Sequence, residues 1–134
     1  MKQTCNTSLR IAKVAKLASV PYVTIAQDDV SIKTALNNKG LLSVCVDSTN
    51  WMHYVSGIFS DSRLATTAPT CNHGVNFVGY DVDAETGIPI YIVKNTWGTA
   101  WGELGYVRMD ARRYANGNTY SGFLPANIYS PTIQ

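Results

Sequence analysis

Histidine occurs only twice in this sequence, at His53 and His73, and cysteine only three times, at Cys5, Cys45 and Cys71. No Cys-x-x-Cys or His-Glu-x-x-His spacing is present, so neither a metal nor a cofactor is expected. Cys71-x-His73 with the distant Cys45 is the nearest approach to a ligand set. Charge is sparse: Asp, Glu, Lys and Arg make up 15% of the chain and leave a net charge of +2, too little to argue for nucleic acid. The cations lean toward the first third (Lys2, Arg10, Lys13, Lys16, Lys33, Lys39), scattered as on a solvated face. No apolar run is long enough to cross a bilayer, so no membrane partner is expected. Met1-Lys2-Gln3-Thr4 leads into polar sequence without the apolar core of a secretory signal. Repeats and low-complexity segments are missing. Gly98, Gly102 and Gly105 follow one strand-like run and lead into another, whereas a phosphate-binding loop would open a helix, so nucleotide binding is disfavoured. What is present, 134 residues of which 46% are hydrophobic, suits one globular domain over 1–134 that buries roughly two-thirds of its chain surface.

The densest pattern runs from Cys71 to Met109. Residues 75–82 (VNFVGYDV) and 88–94 (IPIYIVK) are rich in β-branched and aromatic side chains, and Asp83-Ala84-Glu85-Thr86-Gly87 between them is turn chemistry. An antiparallel hairpin centred on Ala84 sets Phe77 against Tyr91, Val75 against Val93, and His73 opposite Asn95. A slip of one residue would send His73 and Asn95 to opposite faces, so this register is a sharp expectation. A carboxamide oxygen beside a neutral imidazole accepts one ring N–H. It thereby fixes tautomer and orientation, and it leaves the other nitrogen to take a proton from a nucleophile.

Asn72-His73-Gly74-Val75, Val78-Gly79-Tyr80 and above all the run from Lys94 to Tyr106, KNTWGTAWGELGY, resemble the second, β-rich lobe of papain-family cysteine peptidases. The resemblance covers nearly the whole chain, is strongest over 72–106 and weakens before about residue 40. It implies that His73 is general base and acid and that Asn95 is its orienter. By the same resemblance Trp97 shields the His–Asn hydrogen bond from water. Trp101 packs beneath the loop, chiefly as core, and Gly98 and Gly102 give the loop its backbone freedom. Cys45, Cys71, Gly74 and Ala126 fall where the family lines its main specificity pocket, and small side chains there would favour a bulky apolar or aromatic substrate residue.

Along the rest of the chain, residues 1–9 read as a leader crossing from another lobe. Arg10 to Ile25 reads as two short strands around a bend at Pro21. Asp28 or Asp29 caps a helix over about 29–38 with Val30, Ile32, Ala35 and Leu36 inward and Gly40 at its end. Leu41–Asp47 is a buried strand, and Ser48-Thr49-Asn50 starts a helical turn that carries Trp51 and Tyr54. A short strand follows at Gly57-Ile58-Phe59, then a polar loop over 60–71 in which Asp61 and Arg63 are expected to be solvated. Gly105–Met109 is a further strand, 110–118 an irregular excursion, and 120–131 a closing segment with Phe123, Leu124, Ile128 and Tyr129 available for packing. The fold class expected is α+β: an antiparallel, barrel-like sheet with a few peripheral helices.

Three cysteines cannot all pair within one chain. Cys45, inside Leu41–Val46, reads as a small buried hydrophobe. The resemblance implies that Cys5 pairs with a cysteine of a first lobe. It also implies that a typical second-lobe disulfide is missing, because Asn118–Pro125 carries no cysteine. Asn6-Thr7-Ser8 is a glycosylation sequon, a weak signal. The nucleophile of such enzymes lies in a Cys-Gly-[Ser/Ala]-Cys-[Trp/Tyr] run after a glutamine, and neither occurs in these 134 residues. Cys71 is a poor substitute, since residues two apart on a strand stand roughly 6–7 Å apart, beyond hydrogen-bond reach.

Three readings follow. The chain is a peptidase lobe that needs a complementary first lobe to supply the thiol; or a non-catalytic module binding peptides, propeptides or inhibitors; or a β-rich module that binds an unrelated ligand such as a sugar. Retention of His73, Asn95 and Trp97 favours the first, and the isolated chain is expected to be inactive. Family resemblance suggests a lysosome-like compartment or secretion, with peptide or protein as substrate.

Overall fold

A computed structural model describes residues 17–133; Cys5, the sequon at Asn6 and the strand expected from Arg10 onward to residue 16 lie outside the described residues. Seven strands form one sheet in the order β1-β7-β2-β4-β5-β6-β3. They are β1 (Leu17–Thr24), β2 (Leu42–Val46), β3 (Ile58–Phe59), β4 (His73–Val82), β5 (Pro89–Lys94), β6 (Tyr106–Asp110) and β7 (Phe123–Ile133). One helix, α1 (Asp29–Lys39), and a 3-10 turn at Ser62–Ala65 complete the described elements. The α+β class holds. The sheet is not closed into a barrel, and it is not wholly antiparallel, because β3 runs parallel to β6. Around Pro21 there is one strand rather than two: β1 continues through the proline with a register irregularity between Leu17 and Tyr22 against β7.

Helix α1 forms where the capping chemistry places it. The Asp28 carboxylate accepts from Ser31 N at 2.8 Å, and Gly40 ends the helix with φ +83°. Ile32, Ala35 and Leu36 share the buried face. Val30 does not join them and is 74% exposed, because two residues before Ile32 is roughly 200° around a helix of 3.6 residues per turn. The Tyr91 hydroxyl on β5 donates to Asp29 and pins the start of α1 to the sheet. Burial, together with the Asp29 carboxylate, pushes that phenol well above its usual range.

The hairpin of β4 and β5 departs from the expected register. Asp83 N donates to Ile88 O at 2.9 Å, Gly87 turns at φ +69°, and the Asp83 carboxylate accepts from both the N–H and the hydroxyl of Thr86. The turn therefore closes on Asp83 and Ile88 and is not centred on Ala84. Next to it Tyr80 faces Tyr91 and Asp81 faces Ile90. Between Phe77 and Gly79 the register shifts, and from there Phe77 faces Val93. Val78 is the extra residue of a β-bulge. Its effect is to exchange faces: Tyr80 packs against the core on one side of it, and Phe77 and Val75 are buried on the other. Without the bulge, the register at the turn would put His73 on the face opposite Asn95. The core beneath the sheet holds Leu42, Val44, Val46, Phe77, Tyr91, Val93, Val107, Met109, Phe123 and Ile128.

Candidate active site

His73 is the first residue of β4 and Asn95 the first beyond β5. His73 Nε2 and Asn95 Oδ1 are 2.8 Å apart. The direction of that bond follows from a neighbour: Thr96 N–H donates to the same Oδ1 at 2.8 Å. That atom is therefore the amide oxygen, and the ring nitrogen facing it must carry the proton. The neutral ring is then the Nε2–H tautomer with a free lone pair on Nδ1. Asn95 is itself fixed, 5% exposed, with its N–H donating to Gly105 O at 2.9 Å.

Gly105 belongs to the loop 95–105, which folds back on itself and onto the start of β6: Gly105 N donates to Trp101 O at 2.8 Å and Glu103 N to Tyr106 O at 3.0 Å. Gly102 has φ +58°, and a Cβ there would come within 2.6 Å of Tyr106 O and 3.1 Å of the Tyr54 ring, so no other residue fits that path. Gly98 also turns at positive φ, +88°, but a Cβ on it would meet open space. Glu103 accepts from Gly57 N at 2.8 Å and pairs with Arg108 at 3.0 Å, which ties the loop to β3 and β6. Burial alone would raise the Glu103 carboxyl, but Arg108 and the Gly57 N–H together hold it below its usual value.

Trp97 stacks on the His73 ring with centroids 5.1 Å apart and planes 30° apart, and is itself 42% exposed. Trp101 meets Trp97 edge-on at 5.2 Å. The residue missed in the sequence is Trp51, which is fully buried. It stacks on Trp101 at 5.7 Å, meets His73 edge-on at 5.9 Å and receives the Trp101 Nε1–H on its carbonyl at 3.0 Å. The only sequence signal for it was a large aromatic in the polar stretch Ser48–His53.

Two further expectations are corrected. Cys45 and Cys71 form a disulfide with Cα atoms 5.5 Å apart, so Cys45 is no isolated hydrophobe and neither sulfur is a free thiol or a metal ligand. A disulfide is thus present among the described residues, though not the one that the resemblance would place at Asn118–Pro125. The pairing was hidden because it depends on β2 and β4 being neighbours, with Cys45 opposite Gly74. This brings three of the four expected pocket residues, Cys45, Cys71 and Gly74, together; Ala126 lies on β7, the strand on the other side of β2. Nor are Asp61 and Arg63 simply solvated. Arg63 pairs with Asp47 at 3.0 Å and with Asp61 at 3.1 Å, and both carboxylates are buried. Among the described residues no cluster of His, Cys, Asp and Glu could hold a metal ion.

Comparison with known proteins gives a consistent result. The family model described as papain family cysteine protease matches residues 1–122. Cysteine proteinase A of Leishmania mexicana is 37% identical over 98 residues, 73% of this chain and 25% of its own length. Fruit bromelain of Ananas comosus is 32% identical over 131 residues, 98% of this chain and 35% of its own. The structure of the bromelain protease from Ananas comosus in complex with the E64 inhibitor superposes with a TM-score of 0.67 at 31% identity, covering 85% of this chain and 50% of that one. The chain thus spans about a quarter to a third of the length of these two curated relatives. Matched along nearly all its length by that family model, this chain belongs to the papain family of cysteine proteases.

Proposed function

We propose that this chain is the second, C-terminal lobe of a papain-type cysteine endopeptidase and supplies the His–Asn pair to a thiol carried by a first lobe. The observation that carries the reading is the 2.8 Å contact of His73 Nε2 with Asn95 Oδ1, made directional by the Thr96 N–H. In the assembled enzyme, Asn95 holds Nε2–H and Nδ1 takes the proton of the cysteine thiol. The thiolate attacks the scissile carbonyl carbon, and the C–N bond breaks as Nδ1–H passes its proton to the leaving amine. A water whose proton goes to Nδ1 then hydrolyses the thioester and regenerates the thiol. Trp97 over the ring lowers the local dielectric and strengthens the bond that fixes it.

The substrate class is peptide or protein. The wall formed by the Cys45–Cys71 disulfide and Gly74, with Ala126 on the neighbouring strand, takes a bulky apolar or aromatic side chain. The E64 inhibitor in the bromelain complex supports inhibitors, and by extension a propeptide, as further partners. The disulfide suits an oxidising environment, which favours secretion or a lysosome-like compartment.

Reconstitution tests the reading. The chain alone should not hydrolyse a peptide amide. Mixed with a separately produced first lobe of a papain-family enzyme, it should give thiol-dependent hydrolysis that His73→Ala abolishes. Hydrolysis by the chain alone, or hydrolysis that survives His73→Ala, would overturn it.

A further inference from the structure

The three residues immediately before His73 are held by a single short stretch, residues 45–49. Cys71 is bonded to Cys45. Asn72 N donates to Val46 O at 3.2 Å, and the Asn72 side-chain oxygen accepts from Ser48 N at 2.9 Å and Ser48 Oγ at 3.0 Å. Thr70 N donates to Asp47 Oδ2 at 2.9 Å. His73 itself opens the ladder opposite Val46.

Asp47 stands at the centre of this arrangement, and its surroundings are built for an ionised carboxylate. Its side chain is 1% exposed. Oδ1 accepts from the N–H and the hydroxyl of Thr49, and Oδ2 accepts from Thr70 N and from Arg63 Nη2. Arg63 is held in turn by Asp61, which also accepts from Asn50 Nδ2 at 3.0 Å. Asp47 N donates to Gly122 O at 2.9 Å, and Gly122, at φ +79°, lies so close that a Cβ on it would touch the Asp47 backbone and side chain. Burying a charge is costly unless every oxygen finds a donor. Here each oxygen has two, and one of those four donors is the backbone N–H three residues before the imidazole.

We propose that Asp47 is a positioning residue for His73: through Thr70 it fixes the path by which the chain enters β4, and so the ring's place over Trp51 and under Trp97. The proposal rests on the reading of His73 and Asn95 as the reacting pair, since displacing a reacting group by about 1 Å costs on the order of a hundredfold in rate.

The test uses the chain as it is and needs no catalysis. Trp97 stacked on the imidazole shifts the His73 ring proton resonances upfield. In Asp47→Asn that shift should collapse toward the value of an unstacked ring, and Thr70 amide exchange should rise about tenfold or more, while resonances of Val44, Phe77 and Val93 stay in place. Thr70→Pro, which removes the N–H that Asp47 Oδ2 accepts, should move the His73 ring in the same direction and carries the test where Asp47→Asn does not fold. His73 resonances unchanged in the folded variants would overturn the proposal, because a role in overall stability alone leaves the ring where it is below the melting transition. Asn95→Ala separates the two readings. A His73 ring that responds to Asn95→Ala but not to the other variants removes the positioning role alone, and one that responds to none of them removes both.

Discussion

What His73 can do is decided by one neighbouring amide. Thr96 N–H marks the Asn95 oxygen, the oxygen marks the protonated ring nitrogen, and Nδ1 is left with the free lone pair that the proposed function uses as a base. The grouping of His73, Asn95 and Trp97 was legible in the sequence because Asn72-His73-Gly74-Val75 and the long, unusual run from Lys94 to Tyr106 fall on neighbouring strands of one hairpin. Trp51, Asp47 and Arg63 were not, because their surroundings are made by residues distant in the chain. Asp47 illustrates this: in sequence it is an ordinary acid at a strand end, yet in the fold it is almost wholly enclosed. Burial would raise its carboxyl, but the Thr49 hydroxyl, the Thr70 and Thr49 N–H groups and Arg63 outweigh burial and hold it well below its ordinary value of 3.8. A carboxyl depressed in the folded state stabilises the fold at pH values above its unfolded pKa, and that contribution is lost as pH falls from there toward the folded pKa. Urea midpoints measured from pH 6 downward should therefore fall on acidification below about pH 4. Asp47→Asn should be less stable at pH 6 and lose less on acidification; an equal acid loss in the variant would remove Asp47 as a contributor.

The β4–β5 hairpin shows how an element can be foreseen while its alignment is not. Its two strands and its turn residues were evident from alternation and from Asp83 to Gly87. The alignment was not, because the turn closes on Asp83 and Ile88 and the bulge at Val78 then takes up one residue. The expected and observed registers differ by two residues where Val93 is paired, an even displacement that keeps His73 on the side of Asn95. The Cys45–Cys71 link is a feature of the same kind, invisible until β2 and β4 are known to be neighbours. It closes a loop with a sequence separation of 26, for which chain entropy gives a stabilisation of roughly 2–4 kcal/mol. The double variant Cys45→Ser, Cys71→Ser should lose about that much in a denaturant titration, and an unchanged midpoint would argue against the bond.

Taken whole, the described residues carry apolar surface around the loop that holds Trp97 and Trp101. Met52 and Val55, each more than 70% exposed, line a groove with Tyr54, Ala100 and Trp101, and Leu104 on the same loop is 77% exposed. Exposed apolar patches promote association. The isolated chain should accordingly bind a hydrophobic dye and self-associate as its concentration rises, and addition of a first lobe should suppress both. A strictly monomeric chain that binds no dye would contradict this. The class of the fold was legible from strand and helix patterns. Its open edge and the parallel pairing of β3 with β6 were not, since they join segments far apart in the chain.

All of this turns on the state of a single ring, which nitrogen-15 NMR of the histidine-labelled chain reads without substrate or partner. At a pH where the imidazole is neutral, His73 should carry its proton on Nε2 and present an unprotonated Nδ1, while the exposed His53 serves as the unconstrained reference in the same spectrum. A proton found on Nδ1 of His73, or an even mixture like that of a free imidazole, would mean that Asn95 does not hold the ring.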